Sequence, residues 1–550
     1  MKNNNRPDMI LSNGKIITLD NSNSIVDAVL INGNIIAATG KTKDIINIAD
    51  NNVKIIDLKG RCVVPGLTES HCHAASAGTE LLNEINLSKV KTIQGIKDLV
   101  QNKRRSIGPK QWIKGIGYNE NNLKEKRHVN RWDLDDAAKD SPVFIQRFDY
   151  HLGVANSEAL HLAGINRDTF LDFSNGRIGR EQDSLEPNGL LAEAAQGLVK
   201  DLIPPHSIGD IKKGLLHALK IMAKWGITSF TDAAVEHDSF VAYQELFLEN
   251  KLPLKVGLII EGFDALGFKG YFEELNKLGM QANFGNENLK IIGVKLFSDG
   301  SLSGGTAALH EHYNNNSTNY GVMNFEGEAL IKQIKNVHCA GLRPIIHAIG
   351  DRAIDETLEG IEIALKARKC PDHRIRIEHC NLTTKRAVEK IKKHNIIVSS
   401  SITHLYELGA AHLKALGEKR IKNYFMLHEL QRMGVKIIGN SDWPITCGNP
   451  FLGIHTAVNR KNIEGTPINE EQGISVQDAL RLYTINAAYA TFDENRKGSI
   501  ETGKYADLVI IDQDIYEMPQ EELKNIKVMA TMANGKFIYK NAGSGIEVSD

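Results

Sequence analysis

Eight short apolar runs recur between residues 62 and 441: CVVPGLT, GITSFTD, PLKVGLII, KIIGVKLF, RPIIHAI, RIRIEHC, NIIVSSS and VKIIGNS. Most are separated by stretches such as DRAIDETLEGIEIALKARK, whose apolar residues return at helical spacing. A strand followed by an amphipathic helix is a crossover unit, and eight such units, strand first, predict an α/β chain closed into a (β/α)8 TIM-like barrel. Its first strand falls in residues 63–84 and the rest in 206–490. A doubly wound open sheet is the competing arrangement, and the strand count favours closure.

Residues 69–225 separate the first two runs, whereas a crossover takes about 30 residues. An α+β insert is therefore expected over 85–205, after the first barrel strand, with its own core from WIKGIG and SPVFIQRF. The two chain ends have another texture. MILSNGKIITLD, AVLINGNIIAATG and VMATMANGKFIYK carry the pairs Asn13–Gly14, Asn32–Gly33 and Asn534–Gly535, which signal hairpins. Small antiparallel sheets follow for 1–62 and 491–550. Neither has enough strands to stand alone, so the ends should join into one discontinuous β-sandwich domain. Lysine plus arginine number 66 against 67 acidic residues, which removes the electrostatic case for nucleic acid or an anionic membrane and leaves a small molecule as the expected partner. No run approaches the roughly 20 apolar residues of a membrane span. The N-terminal apolar patch is too short for a signal peptide, and six cysteines without paired spacing suit a reduced, cytoplasmic protein.

The chemistry starts at GLTESHCHAASAG, where His71 and His73 end the first run. Alternate residues of a strand share a face, so both imidazoles look into one space, either as metal ligands or as a hydrogen-bonded core pair. Barrel active sites gather at the C-terminal strand ends. There the sequence sets Lys295, His347, His379 and Asp442 beside the two histidines. Imidazole and carboxylate ligands without a thiolate set suit Zn²⁺, one or two per chain, with Fe²⁺ and Mn²⁺ as the other candidates. A charged lysine has no use beside a cation. Lys295 is either neutral, converted by carbon dioxide to a carbamate (N6-carboxylated) that bridges two metals, or paired with Asp299. Cys72 and Cys380 face away from the neighbouring histidines and read as packing residues.

These segments, together with WIKGIGYNE, FDYHLGVANSEAL, GRIGREQDSLEPNGLLAE, VKLFSDGSLSGGTAAL, IIHAIGDRAID, NSDWPI and GSIETGKYADLVIID, resemble the amidohydrolase superfamily over nearly the whole chain. The fuller pattern is similar to its amidohydrolase-3 branch of YtcJ-like and N-substituted formamide deformylase-like metal-dependent hydrolases. The resemblance implies that His71 and His73 bind the more buried metal, that Lys295 bridges, that His347 and His379 bind a second metal, and that Asp442 touches metal and water as general base. It also implies that the insert covers the barrel mouth. Two departures fall at the site: Glu69 stands where the superfamily commonly has Asp, and Ser401–Ile402 stand where the branch tends to have Gln-Pro. The position of Tyr118 is often Trp.

The expected reaction is hydrolysis of an amide, N-acyl or N-formyl carbon–nitrogen bond by metal-bound hydroxide, with Asp442 taking the proton and returning it to the leaving nitrogen. Tyr118, His151, His404 and Trp443 are the candidate substrate contacts. Arg177 and Arg180 either bind a carboxylate or are solvated or internally paired. Deamination of an aminated ring on the same site is the alternative within catalysis, and a non-catalytic metal-binding scaffold is the alternative outside it. A homodimer is the expected assembly.

Overall fold

A computed structural model describes residues 9–49, 53–170, 176–543 and 545; the outermost parts of the two expected sandwich segments, residues 1–8 and 546–550, lie outside it. The barrel strands are β1 (Leu67–Cys72), β2 (Ile227–Val235), β3 (Lys255–Glu261), β4 (Leu289–Phe297), β5 (Pro344–Ala348), β6 (Arg376–His379), β7 (Ile397–Ser401) and β8 (Ile437–Asn440). They pair in parallel in sequence order. Just beyond β8 the ring closes on β1: Asp442 N–H donates to the His71 carbonyl at 3.0 Å and His73 N–H to the Trp443 carbonyl at 2.7 Å. This closure puts the first and last candidate site residues side by side.

The run CVVPGLT divides. Cys62–Pro65 is not a barrel strand; it pairs with Lys15–Ile17 and Leu508–Ile511 in the sheet of the chain ends. Gly66 is the crossing point, where a Cβ would meet Thr228 Oγ1 at 2.3 Å and Asp507 Cβ at 2.9 Å. A run buried from end to end gives no sequence cue that it serves two sheets.

The chain ends form a six-stranded and a four-stranded sheet, and their inner faces share a core of residues such as Leu11, Val29 and Ile56 with Val63, Ile510 and Met532. The expected antiparallel sheet at the N-terminus is mixed, because Met9–Ser12 runs parallel to Lys54–Asp57. Asn32–Gly33 and Asn534–Gly535 do turn hairpins. Asn13–Gly14 does not: the strands on either side belong to different sheets, and the pair carries the chain from one to the other. A buried ion pair, Lys255 Nζ to Asp507 Oδ2 at 2.7 Å, fastens the sandwich to the base of β3.

After β1 comes helix α1 (Ala74–Asn83), then a six-stranded sheet running from Ile85–Asn86 to Pro187–Glu193, whose core includes Ile113, Val143, Ile145 and Val154. The chain rejoins the barrel through α2 (Ile208–Lys224), which packs on α1. Among the described residues no helix is long and apolar enough to cross a membrane.

Candidate metal centre

At the C-terminal rim, His71 Nε2 and His73 Nε2 stand 3.4 and 3.2 Å from Asp442 Oδ1. The three ligating atoms lie within 4.8 Å of one another. The imidazoles of His71, His73, His379 and His347 each have one nitrogen occupied by the protein. His71 donates from Nδ1 to Glu378 Oε2 at 2.5 Å, His73 from Nδ1 to the Ala233 carbonyl at 3.0 Å, and His379 from Nδ1 to Ser401 Oγ at 2.8 Å, whose hydroxyl passes on to Asn440 Oδ1 at 2.7 Å. His347 is turned the other way, donating from Nε2 to the Gly300 carbonyl at 3.1 Å. The opposite nitrogen of every ring keeps its lone pair, which is the arrangement that outer acceptors impose on metal-binding histidines.

The electrostatics agree with the geometry. Burial pushes His71 down to about 4, and His347 and His379 well below the ordinary value, so all three imidazoles are neutral at pH 7. Burial works against a charge on Asp442, but His404 and His73 beside it hold its carboxyl well below the usual range. Its Oδ1 is buried without a hydrogen-bond partner. A buried carboxylate oxygen left open between two imidazole lone pairs is the donor set of a divalent cation, so the residues present fit a metal.

Lys295 points into the same space, its Nζ 3.3 Å from His71 Nε2 and 4.6 Å from the Phe297 ring centre. Asp299 is not its partner: that carboxylate accepts the backbone N–H groups of Ala308, Ile349 and Gly350. Burial lowers the Lys295 pKa and favours the neutral amine.

A cavity of about 330 Å³ opens on this cluster, with His151, Gln146 and Asp149 of the insert on one side and Leu266, Phe268 and Phe297 of the barrel on another. A larger depression of about 740 Å³ lies at the other end of the barrel, around Lys251, Asn288 and Lys536, away from the ligating groups.

Of the four candidate substrate contacts, only His151 lines the cavity. Tyr118 is a core residue of the insert sheet, fully buried, with its hydroxyl 3.3 Å from His128 Nδ1. Trp443 packs its ring edge-on against Trp225. His404 stacks on His379 and sets Nε2 3.5 Å from Asp442 Oδ2, behind the carboxylate. Arg180 donates to the carbonyls of Asn166, Arg167, Thr169 and Leu185, the internally paired reading. Cys72 and Cys380 are buried in the barrel core, as their parity requires.

Sequence reading missed several supporting groups. Glu378 is gripped by Arg376 through two bonds of 2.8 and 2.9 Å while it holds His71. Burial opposes its charge, yet Arg376 and His71 pull it down to about 2. The signal was present: Arg376 and Glu378 are opposite charges two apart, on one face of a run that reads as a buried strand, which calls for a pair. Glu69 accepts from Ser441 Oγ at 2.7 Å and from the N–H groups of Ser441 and His71, tying the turn that carries Asp442 to β1. Asp232 caps α1 by accepting from Ala74 N at 2.8 Å and Ala75 N at 3.1 Å. Glu261, opposite Lys295 in register, keeps Oε2 buried and unpartnered.

A closed parallel barrel with histidines and a carboxylate at its C-terminal rim defines a metal-dependent hydrolase of the amidohydrolase superfamily. The chain belongs to the amidohydrolase family, whose sequence profile matches residues 54–539. It is 30% identical to Protein LONG AFTER FAR-RED 3 of Arabidopsis thaliana, over 97% of this chain and 91% of that one. It is 26% identical to the N-substituted formamide deformylase of Arthrobacter pascens, over 98% and 99%. An uncharacterized metal-dependent hydrolase from Pyrococcus furiosus superposes with a TM-score of 0.72 at 27% identity, over 93% of this chain and all of the other.

Proposed function

We propose that the protein hydrolyses an amide, N-acyl or N-formyl carbon–nitrogen bond of a small molecule. The observation that carries this reading is the buried, unpartnered Asp442 Oδ1 set between His71 Nε2 and His73 Nε2. These three residues would hold one divalent ion, zinc before iron or manganese. Lys295, as its carbamate, with His347 and His379 would hold a second. When bound, the ion supplies Lewis acidity and brings the pKa of water from about 16 to near 7.

The chain's own residues do the rest. Asp442 accepts the proton of the attacking water on its carboxylate and returns it to the leaving nitrogen as the carbon–nitrogen bond breaks. His404, 3.5 Å behind Oδ2, keeps that carboxylate turned to the cluster. The insert roofs the cavity and limits water. The Phe268 and Phe297 rings, 6.2 Å apart and 5° from parallel, offer an apolar wall for the substrate's substituent. We place the enzyme in the cytoplasm as a homodimer, with no nucleic-acid or membrane partner.

The test is a panel of N-formyl, N-acetyl and N-aroyl amides assayed for carboxylate and for amine, with aminated ring compounds assayed for ammonia. Carboxylate and amine released in equal amounts support the reading. Ammonia from ring compounds alone moves the assignment to a deaminase, and no turnover of either class moves it to a scaffold.

A further inference from the structure

Glu193, the last residue of Pro187–Glu193 in the insert, has φ 50° and ψ −128°. That backbone region favours glycine and strains any residue with a Cβ. What holds Glu193 there is visible. Its carboxylate straddles His151 Nδ1 at 2.9 and 3.1 Å, and its N–H donates to the His151 carbonyl at 3.0 Å. Its Oε1 presses on Gly300, where a Cβ would approach within 2.6 Å. The Gly300 carbonyl is the acceptor that orients His347. With Nδ1 taken, His151 has Nε2 left, and its ring lies 5.7 Å from that of His347 on the wall of the cavity that also holds Lys295 and Asp442.

Strain persists where surrounding contacts over-determine it, and it gathers at functional sites. The insert does not depend on Glu193 for its attachment to this loop, because Asp149 accepts from Ser301 Oγ at 2.7 Å and from Ser303 Oγ at 3.1 Å, and Arg147 reaches Ser303 Oγ at 3.2 Å. The strained conformation therefore serves the ring it holds.

We propose that Glu193 is a positioning residue and that His151, which it holds, is the insert's catalytic contribution, touching the substrate through Nε2. The assignment rests on the hydrolase reading above and adds to it a residue from outside the barrel.

Glu193→Gly separates this role from a structural one, since it removes the carboxylate and the backbone strain together. Glu193→Gly, His151→Gln and the double variant are compared with the parent protein by thermal midpoint, by kcat/KM on the best amide, and by calorimetric affinity of the zinc-loaded protein for acetohydroxamate. We expect the midpoint of Glu193→Gly, read at pH 10 where the His151–Glu193 ion pair no longer adds stability, to hold or rise while kcat/KM at pH 7 falls about 10- to 100-fold, as loss of a positioned group does. The double variant should be no slower than His151→Gln, because Glu193 acts through His151. A midpoint that falls in step with activity, activity within threefold of the parent, or additive effects would overturn the proposal. If the parent hydrolyses no amide, the amide reading alone fails and the hydroxamate affinity decides: weaker in both single variants supports the positioned histidine, unchanged refutes it.

Discussion

At the scale of the residue, the site is a set of side chains each deprived of every role but one. His71 can offer only Nε2 because Glu378 takes its other nitrogen, and Glu378 is fixed in turn by Arg376. Replacing Glu378 by Gln leaves His71 free to adopt the wrong tautomer. Metal affinity should weaken about 10- to 100-fold, measured by competition with a chromogenic chelator. Asp442→Asn should keep much of the metal through the remaining groups and lose about 10²- to 10⁴-fold in kcat, the usual worth of a general base; turnover near the parent's would remove Asp442 from that role. The convergence of these side chains was legible in sequence because the period of two in a strand puts His71 and His73 on one face and each of the others at a strand end. Tyr118 was misread as a substrate contact, since an aromatic at the end of a run looks the same whether it turns to a cavity or to a core. Glu193 left no sequence cue at all, because nothing in PNGLLAE announces a positive φ.

At the scale of the element, contacts between segments decide where the site residues stand. Helix α1, which begins just after His73, lies so close to α2 that a Cβ on Gly78 would stand 2.1 Å from the Gly214 carbonyl. Gly78→Ala should destabilise the protein by about 1–3 kcal/mol, read from denaturant midpoints, as overpacking does. Within the insert, the His151–Glu193 pair fixes the ring that faces the barrel rim. Burial opposes a charge on His151, but Glu193, aided by Asp149 and Asp299, pushes it up to about 9. A histidine pKa raised above its unfolded value near 6.5 adds stability in full below that pH and loses it as the pH rises through 9, here about 3 kcal/mol. The thermal midpoint should therefore fall between pH 6.5 and 10 by more in the parent than in His151→Gln; parallel profiles would contradict the charged pair. The strand–helix rhythm was readable at this scale. The division of CVVPGLT and the sheet change at Asn13–Gly14 were not, because both depend on partners distant in the chain.

At the scale of the molecule, three parts meet at one rim. The barrel supplies the candidate ligands, its closure between β8 and β1 brings Asp442 to the two histidines, and the insert brings His151 to the same cavity. The sandwich of the chain ends stands at the base, tied by Lys255 and Asp507, and takes no part in the cluster. The rim cluster of His71, His73 and Asp442 is proposed to be a metal centre. Elemental analysis of protein purified without chelator, in the parent and in His71→Ala, tests it most directly. One to two equivalents of zinc, iron or manganese per parent chain are expected, with a loss of at least one equivalent in His71→Ala. A parent protein with no bound metal, which also recovers none on incubation with zinc, would contradict it.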